Sequence, residues 1–324
     1  MAFIDMHCDT LQVATFKNCD LYDAKEISVD FKRMKKAGAM AQFFAIFMPD
    51  KETYDDFNVS PMEDQEYFDA LFAKLLGGVK EHEDIIRRAY TAKDVLENYE
   101  NNKMSAILTI EDGRMVNGDF EKLEDFYDLG VRAIALTWNY ENCFGYPNSK
   151  DPKMMQKGLK KFGKEAIEYM NELGIMVDVS HLSDGGFWDV EKIASKPFIA
   201  THSNCRELSP HQRNLTDDMI KALANKGGVM GLNFFPKFLN KDTADTKSTV
   251  DAMIAHLKHA KQIGGIEVLG LGGDLDGMSG DLEIGSSEDY PVLFDRLKKE
   301  GFTESEIDKI THENILRVMK DTLW

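Results

Sequence analysis

His7 and Asp9 are separated by a single residue, so on an extended backbone both side chains point to the same side and one cation could take both. Glu111 follows the apolar run Met104–Ile110 directly, and Asp274 follows the run Val268–Gly273. His181 and His202 each fall within one or two residues of the end of another such run. Six imidazoles and carboxylates therefore stand at the ends of five strand candidates. One such residue alone reads as a hydrogen-bonded polar group at a strand end. Six converging at one mouth would repel or strand one another without a cation. Three imidazoles with two carboxylates suit Zn²⁺ or a similar first-row ion, whereas an all-oxygen set would suit Mg²⁺ or Ca²⁺. Five ligands are one too many for a single catalytic zinc that keeps an open position. They suit two ions bridged by one carboxylate and a hydroxide. Cys8 has the wrong parity to join His7 and Asp9.

The elements that must position these groups are visible as periodicity. Eight short apolar runs recur along the chain: Ala2–Met6, Met40–Met48, Met104–Ile110, Val131–Thr137, Ile175–Val179, Pro197–Thr201, Gly228–Phe234 and Val268–Gly272. Amphipathic stretches with helical spacing lie between most of them, among them Lys157–Leu173, Val250–Ile263 and Glu304–Thr322. Eight β-then-α units in one chain predict a single α/β domain, a (β/α)8 TIM-type barrel over residues 1–324, with a doubly wound open sheet as the alternative. In a barrel, the carboxyl ends of the strands are where sites are built. The stretch Pro49–Lys103 is longer than a simple connection and predicts an extra helix and a lid-like insertion. His82, His256, His259 and His312 sit in charged helical stretches, which predicts solvated faces for them.

Composition narrows the partners. The 324 residues carry 39 Lys+Arg and 56 Asp+Glu, a formal net charge of −17, so nucleic acid and anionic membrane would be repelled. A solvated acidic surface accounts for such a number without further function. Hydrophobic residues at 43% are enough for a substantial core. No apolar run has the ~18 residues of a membrane span, and the first residues lack a signal-peptide pattern. Four cysteines without close CxxC pairing fit reduced thiols, so a cytoplasmic location is expected.

The same residues resemble the renal (membrane) dipeptidases and their bacterial cytosolic relatives, peptidase family M19 of the amidohydrolase-like barrels. The resemblance runs through Ile4-Asp5-Met6-His7-Cys8-Asp9, Thr109-Ile110-Glu111-Asp112-Gly113 and Phe126-Tyr127-Asp128-Leu129-Gly130-Val131-Arg132. It continues in Asp178-Val179-Ser180-His181, Ala200-Thr201-His202-Ser203-Asn204, Arg213-Asn214-Leu215 and Gly272-Gly273-Asp274-Leu275-Asp276-Gly277. It implies that His7 and Asp9 bind one zinc, that His181 and His202 bind the other, and that Glu111 bridges the two. It implies that Arg213 binds the substrate carboxylate, a task suited to a bidentate guanidinium. Asp274 would act near the scissile nitrogen or the substrate amine, with Asp276 as the alternative. Trp138, Asn139 and Phe235 fall at substrate-contacting positions. Trp138 stands where the mammalian members have His, Phe235 where a Tyr helps hold the carboxylate, and Asp112 where Gly is usual.

The expected reaction is hydrolysis of a dipeptide (L-Xaa-D-Xaa, L-Xaa-Gly or L-Xaa-L-Xaa) by a hydroxide bridging two zinc ions, with Asp274 carrying the proton. Two other functions stay open: another binuclear amidohydrolase, such as a cyclic amidase or deaminase, and a non-catalytic zinc-dependent peptide-binding protein. The partner expected is a small dipeptide, with no nucleic acid and no membrane, and a homodimer is left open. Met34, Met40 and Met48 are expected to fill core gaps, and Trp138 to serve either as barrel-mouth packing or as a pocket wall. Gly270-Leu271-Gly272-Gly273 begins like a dinucleotide fingerprint but has Leu275 where the third Gly belongs.

Overall fold

The computed structural model describes residues 1–242 and 244–324. Its centre is a closed ring of eight parallel strands: β1 (Phe3–Asp5), β2 (Ala39–Phe47), β3 (Met104–Glu111), β4 (Val131–Ala135), β5 (Met176–Asp178), β6 (Ile199–Ala200), β7 (Val229–Leu232) and β8 (Leu269–Leu271). Each pairs with the next in chain order, and β8 closes on β1 through Leu271 opposite Asp5. All eight predicted strands are present, and closure decides for the (β/α)8 barrel over the open sheet. A short extra strand, Ile86–Arg88, pairs with the start of β3, and Lys247–Ser248 pairs with Asp281–Leu282 outside the barrel. No helix of the described residues is long and apolar enough to cross a membrane.

The helices form where apolar spacing and caps coincide. Lys161–Leu173 buries Ala166, Ile167 and Met170 and stops at Gly174, whose φ of 89° suits a residue without a Cβ. Ser183 and Thr216 cap the next two helices by accepting from the Gly186 and Met219 N–H groups. The predicted helix Glu304–Thr322 is interrupted by a π-helical turn at Lys309–Glu313. Beyond that turn, the Asn314 side chain donates to the carbonyls of Ile266 and Leu269, tying the final helix to the entrance of β8. The predicted insertion holds helices Lys51–Asp56, Asp64–Glu81 and Ala92–Glu100.

Alternation along the strands divides the core in two. Ile4, Ala41, Phe43, Ile107, Ala133, Met176, Ile199 and Val229 form the barrel interior, closed at the amino-terminal end of the strands by Ile315, Leu316 and Met319 of the last helix. Ala106, Leu108 and Ile110 face the outer layer between strands and helices. Met34, Met40 and Met48 are buried in these clusters, as expected. On β3 the inward series that starts at Ile107 ends at Glu111, so the pleat itself delivers that carboxylate to the mouth.

One expectation about a single residue changes. His256 is buried rather than solvated, because its Nδ1 accepts from the Cys205 N–H and its Nε2 donates to the Leu239 carbonyl. A helix can bury an imidazole when both nitrogens find backbone partners. Gly272 belongs to the barrel wall, in keeping with the rejected dinucleotide fingerprint. A Cβ there would lie 1.7 Å from the Thr201 carbonyl oxygen, closer than any packing allows. Gly272→Ala is therefore expected to cost about 1–3 kcal/mol of stability or more through overpacking. Gly77→Ala, in the helix Asp64–Glu81 with no atom within 4 Å of the added carbon, should instead gain about 0.5–1 kcal/mol. Urea unfolding midpoints of the two variants check both signs.

Candidate metal centre

The six ionisable groups of the site are brought in by five strand ends. His7 and Asp9 follow β1, Glu111 ends β3, His181 follows β5, His202 follows β6 and Asp274 follows β8. Regular alternation from Asp5, which faces outward onto Tyr290, would send His7 outward too. Pairing is interrupted after Asp5 opposite Leu271 and resumes only at Cys8 opposite Leu275, and Asp5 Oδ1 accepts the His7 backbone N–H at 2.9 Å, so the ring enters the mouth. His181, Asp274 and Asp276 hold φ of 69°, 62° and 71°, and Asp112 holds 74°. Side chains rarely adopt such angles, and strain of this kind collects at functional sites. At Asp112 a glycine would hold such an angle without strain. The aspartate holds the angle by accepting from the Arg114 N–H and the Asn142 side chain.

All six predicted groups converge. His7 Nε2 lies 3.3 Å from Asp9 Oδ2, 3.3 Å from Glu111 Oε2 and 3.7 Å from Asp274 Oδ1. The other oxygen, Glu111 Oε1, lies 2.8 Å from His181 Nε2 and 3.3 Å from His202 Nε2. Glu111 thus faces two clusters, one with each oxygen. Three overlapping sets have donor atoms close enough for one ion each: His7, Asp9 and Glu111; Glu111, His181 and His202; and His7, His202 and Asp274. Cys8 turns away, its thiol directed at the Phe43 carbonyl.

The residues fit a bound cation. His7 Nε2 and Asp9 Oδ1 are buried without a hydrogen-bond partner. The Nε2 atoms of His181 and His202 face each other at 3.1 Å. Around His202 the tautomer is set from behind. Thr201 Oγ1 donates to Asp178 Oδ2 and has no second proton, so at 2.8 Å it must accept from His202 Nδ1–H. That leaves the His202 Nε2 lone pair directed at the centre. Asn139 Oδ1 approaches His181 Nδ1 at 3.3 Å and does the same for that ring. Burial lowers the pKa of His181, with help from Arg213, to about 4, and burial holds His202 well below the usual imidazole range. Burial opposes charge on His7, but the Asp9 and Glu111 carboxylates outweigh it and hold His7 well above that range. Burial pushes the Asp274 carboxyl up to about 7 against the pull of His7, with Asp9 and Glu111 adding to the rise.

A cavity of about 800 Å³ opens from these groups. Arg213, Trp138, Asn139 and Phe235 all line it, so each predicted substrate contact has access. Arg213 is 5% exposed, donates through Nη2 to the His202 carbonyl, and keeps Nε and Nη1 without partners. Trp138 packs edge-on against Phe47 with ring centroids 4.7 Å apart, which makes it a wall. Asp276 lines the cavity as well but is tied down, accepting from the Thr10 hydroxyl and from the Ser28 and Val29 N–H groups. His211, Lys150 and Lys237 complete the wall and were not singled out from the sequence. His211 had a visible signal, since it lies two residues before Arg213 on the same loop; the lysines had none.

Comparison with known proteins finds relatives along the whole chain. A Klebsiella pneumoniae protein encoded in the pqqA 5′ region, itself uncharacterised, is 33% identical over 246 residues, covering 74% of this chain and 89% of its own. An uncharacterised dipeptidase of Schizosaccharomyces pombe is 30% identical over 319 residues, 96% of this chain and 76% of its own. A metallopeptidase of Rhodobacter sphaeroides, solved with a phosphinate mimic of the dipeptide L-Ala-D-Ala, superposes with a TM-score of 0.91 at 27% identity, covering 100% of this chain and 99% of that one. The structure of dipeptidase AC, a family M19 metallopeptidase, gives 0.90 at 26% identity, covering 99% and 98%. Residues 1–323 match the family as a whole, and the chain belongs to the membrane dipeptidases, peptidase family M19, which are metal-dependent hydrolases of dipeptides.

Proposed function

We propose that this dipeptidase works with two zinc ions, His7 and Asp9 holding one, His181 and His202 the other, and Glu111 shared between them. The observation that carries this reading is the division of Glu111, with Oε2 turned to His7 and Oε1 to His181 and His202. Bound there, zinc would supply a water acidic enough to react near neutral pH and a Lewis acid for the scissile carbonyl.

The chain's own residues do the rest. Arg213 takes the substrate's free carboxylate through its unpartnered Nε and Nη1, which suits an exopeptidase and has no purpose in a cyclic amidase or deaminase. Asp274 is held by Asn233, whose Nδ2 donates to Oδ2 at 2.9 Å, while Oδ1 faces the centre. That oxygen accepts a proton during attack and returns it to the leaving amine. Asp276 has both oxygens committed elsewhere, which favours Asp274 for the task. Trp138 and Phe47 form an apolar wall beside the reacting bond. Thr53, Asp56 and Phe57, on and beside the helix Lys51–Asp56, border the opening and give the insertion the role of a lid. Substrates of the L-Ala-D-Ala type are supported by the ligand held in the Rhodobacter sphaeroides relative. The four free cysteines fit a cytoplasmic location.

Zinc-loaded enzyme tested on L,L-, L,D- and glycine-terminated dipeptides checks the activity, and no cleavage of any would overturn it. Asp274→Asn should retain metal while kcat falls about 10²–10⁴-fold. Glu111→Ala should lose metal and turnover together, which metal quantification on the same sample reads. Thr201→Val should weaken metal affinity about 10–100-fold by releasing the His202 ring, in a chain that still folds. Competition with a chromophoric chelator measures that loss, and unchanged affinity would rule out the Asp178–Thr201–His202 relay.

A further inference from the structure

Beyond Arg213 the cavity wall is basic and aromatic. His211 packs against Phe238 with ring centroids 4.8 Å apart, and the Lys237 ammonium lies 5.5 Å from the centre of the Phe235 ring. The Arg213 guanidinium rests over Phe238 at 5.2 Å. Lys150 enters the same wall from the loop that follows β4, next to Asn148, whose N–H donates to the His181 carbonyl. Burial, with Arg213, Lys150, Lys237 and Arg206 nearby, holds the His211 imidazole down to about 4.

These charges are not used up internally. Arg206 is committed to Asp184 through two contacts of 2.8 Å. Other lysines beside the same loops do find acids, Lys160 with Glu141 and Lys164 with Asp189. Among the described residues, Lys150 and Lys237 have no carboxylate within ion-pair distance, in a chain whose net charge is −17. The acids of the cavity wall are Asp9, Glu111 and Asp274 of the metal centre, the anchored Asp276, and Asp56. A substrate's terminal carboxylate satisfies Arg213 and leaves both lysines without a partner.

We infer that the enzyme favours dipeptides whose carboxyl-terminal residue carries a second, side-chain carboxylate. Phe235 and Phe238 take the methylene stem of such a side chain, and Lys150 and Lys237 take its charge. The inference rests on the dipeptidase reading and on Arg213 holding the terminal carboxylate. The two lysines are exposed, so the discrimination is moderate and salt-sensitive.

The test compares Ala-Glu with its near-isostere Ala-Gln, in L,L and L,D forms, on the zinc-loaded chain. kcat/KM is expected to favour the acid about tenfold at low salt, mostly through KM, with the gap closing as ionic strength rises. In the double variant Lys150→Met, Lys237→Met the acid-to-amide ratio should approach one. Equal values for acid and amide in the native enzyme, or a ratio that survives in the double variant, overturn the inference. Calorimetric binding of the same pair to zinc-loaded Asp274→Asn enzyme reads the ratio without turnover. Absence of cleavage therefore counts against the dipeptidase reading, and equal affinities count against this one.

Discussion

Glu111 is buried at the end of a strand whose inward side chains otherwise belong to an apolar interior, and each of its oxygens meets a different group of ligands. A carboxylate in that position is costly unless positive charge surrounds it. The imidazoles supply part of that charge, but their nitrogens cannot all carry protons while facing one another at close range. A cation resolves both problems, and the rest of the mouth is arranged around this one requirement. The strained backbone at His181 and Asp274, the outward anchor at Asp5 and the hydroxyl relay behind His202 all serve to aim ligands at the same small volume.

The barrel makes such aiming affordable in structural terms. Parallel strands held in register on both sides present their carboxyl ends at one level, so short extensions from different strands meet without long, flexible approaches. Small residues are then needed where backbones press together, as at Gly272 against the Thr201 carbonyl. The interior below the mouth is filled by aliphatic side chains and plugged by the last helix, which leaves the open end as the place for chemistry.

The cavity above the centre is polarised. Carboxylates gather at the metal end, while Arg213, Lys150 and Lys237 gather on another part of the wall, with aromatic rings beneath them. A zwitterionic dipeptide has the matching asymmetry. Trp138, packed edge-on against Phe47, adds apolar surface to the wall of the same cavity.

Local sequence determined much of this. Eight apolar runs foretold eight strands because a strand buried on both faces reads as a continuous hydrophobic stretch. His7, Asp9, Glu111, His181, His202 and Asp274 were visible because each lies within a few residues of the end of one of those runs. Glu111 could be aimed by simple alternation along β3. Tertiary structure decided what alternation could not. His7 faces inward where pairing is interrupted between Asp5 and Cys8 and a side chain from the same strand captures its N–H. His256 is buried because partners at Cys205 and Leu239, remote in sequence, satisfy both of its nitrogens. Asp276 is an anchor because the loop at Ser28 and Val29 folds onto it. His211, Lys150 and Lys237 share one wall only after loops from different strands have packed together, and no spacing along the chain encodes that meeting. Periodicity is a property of neighbours in sequence, whereas the charge field of a cavity belongs to residues that are neighbours only in space.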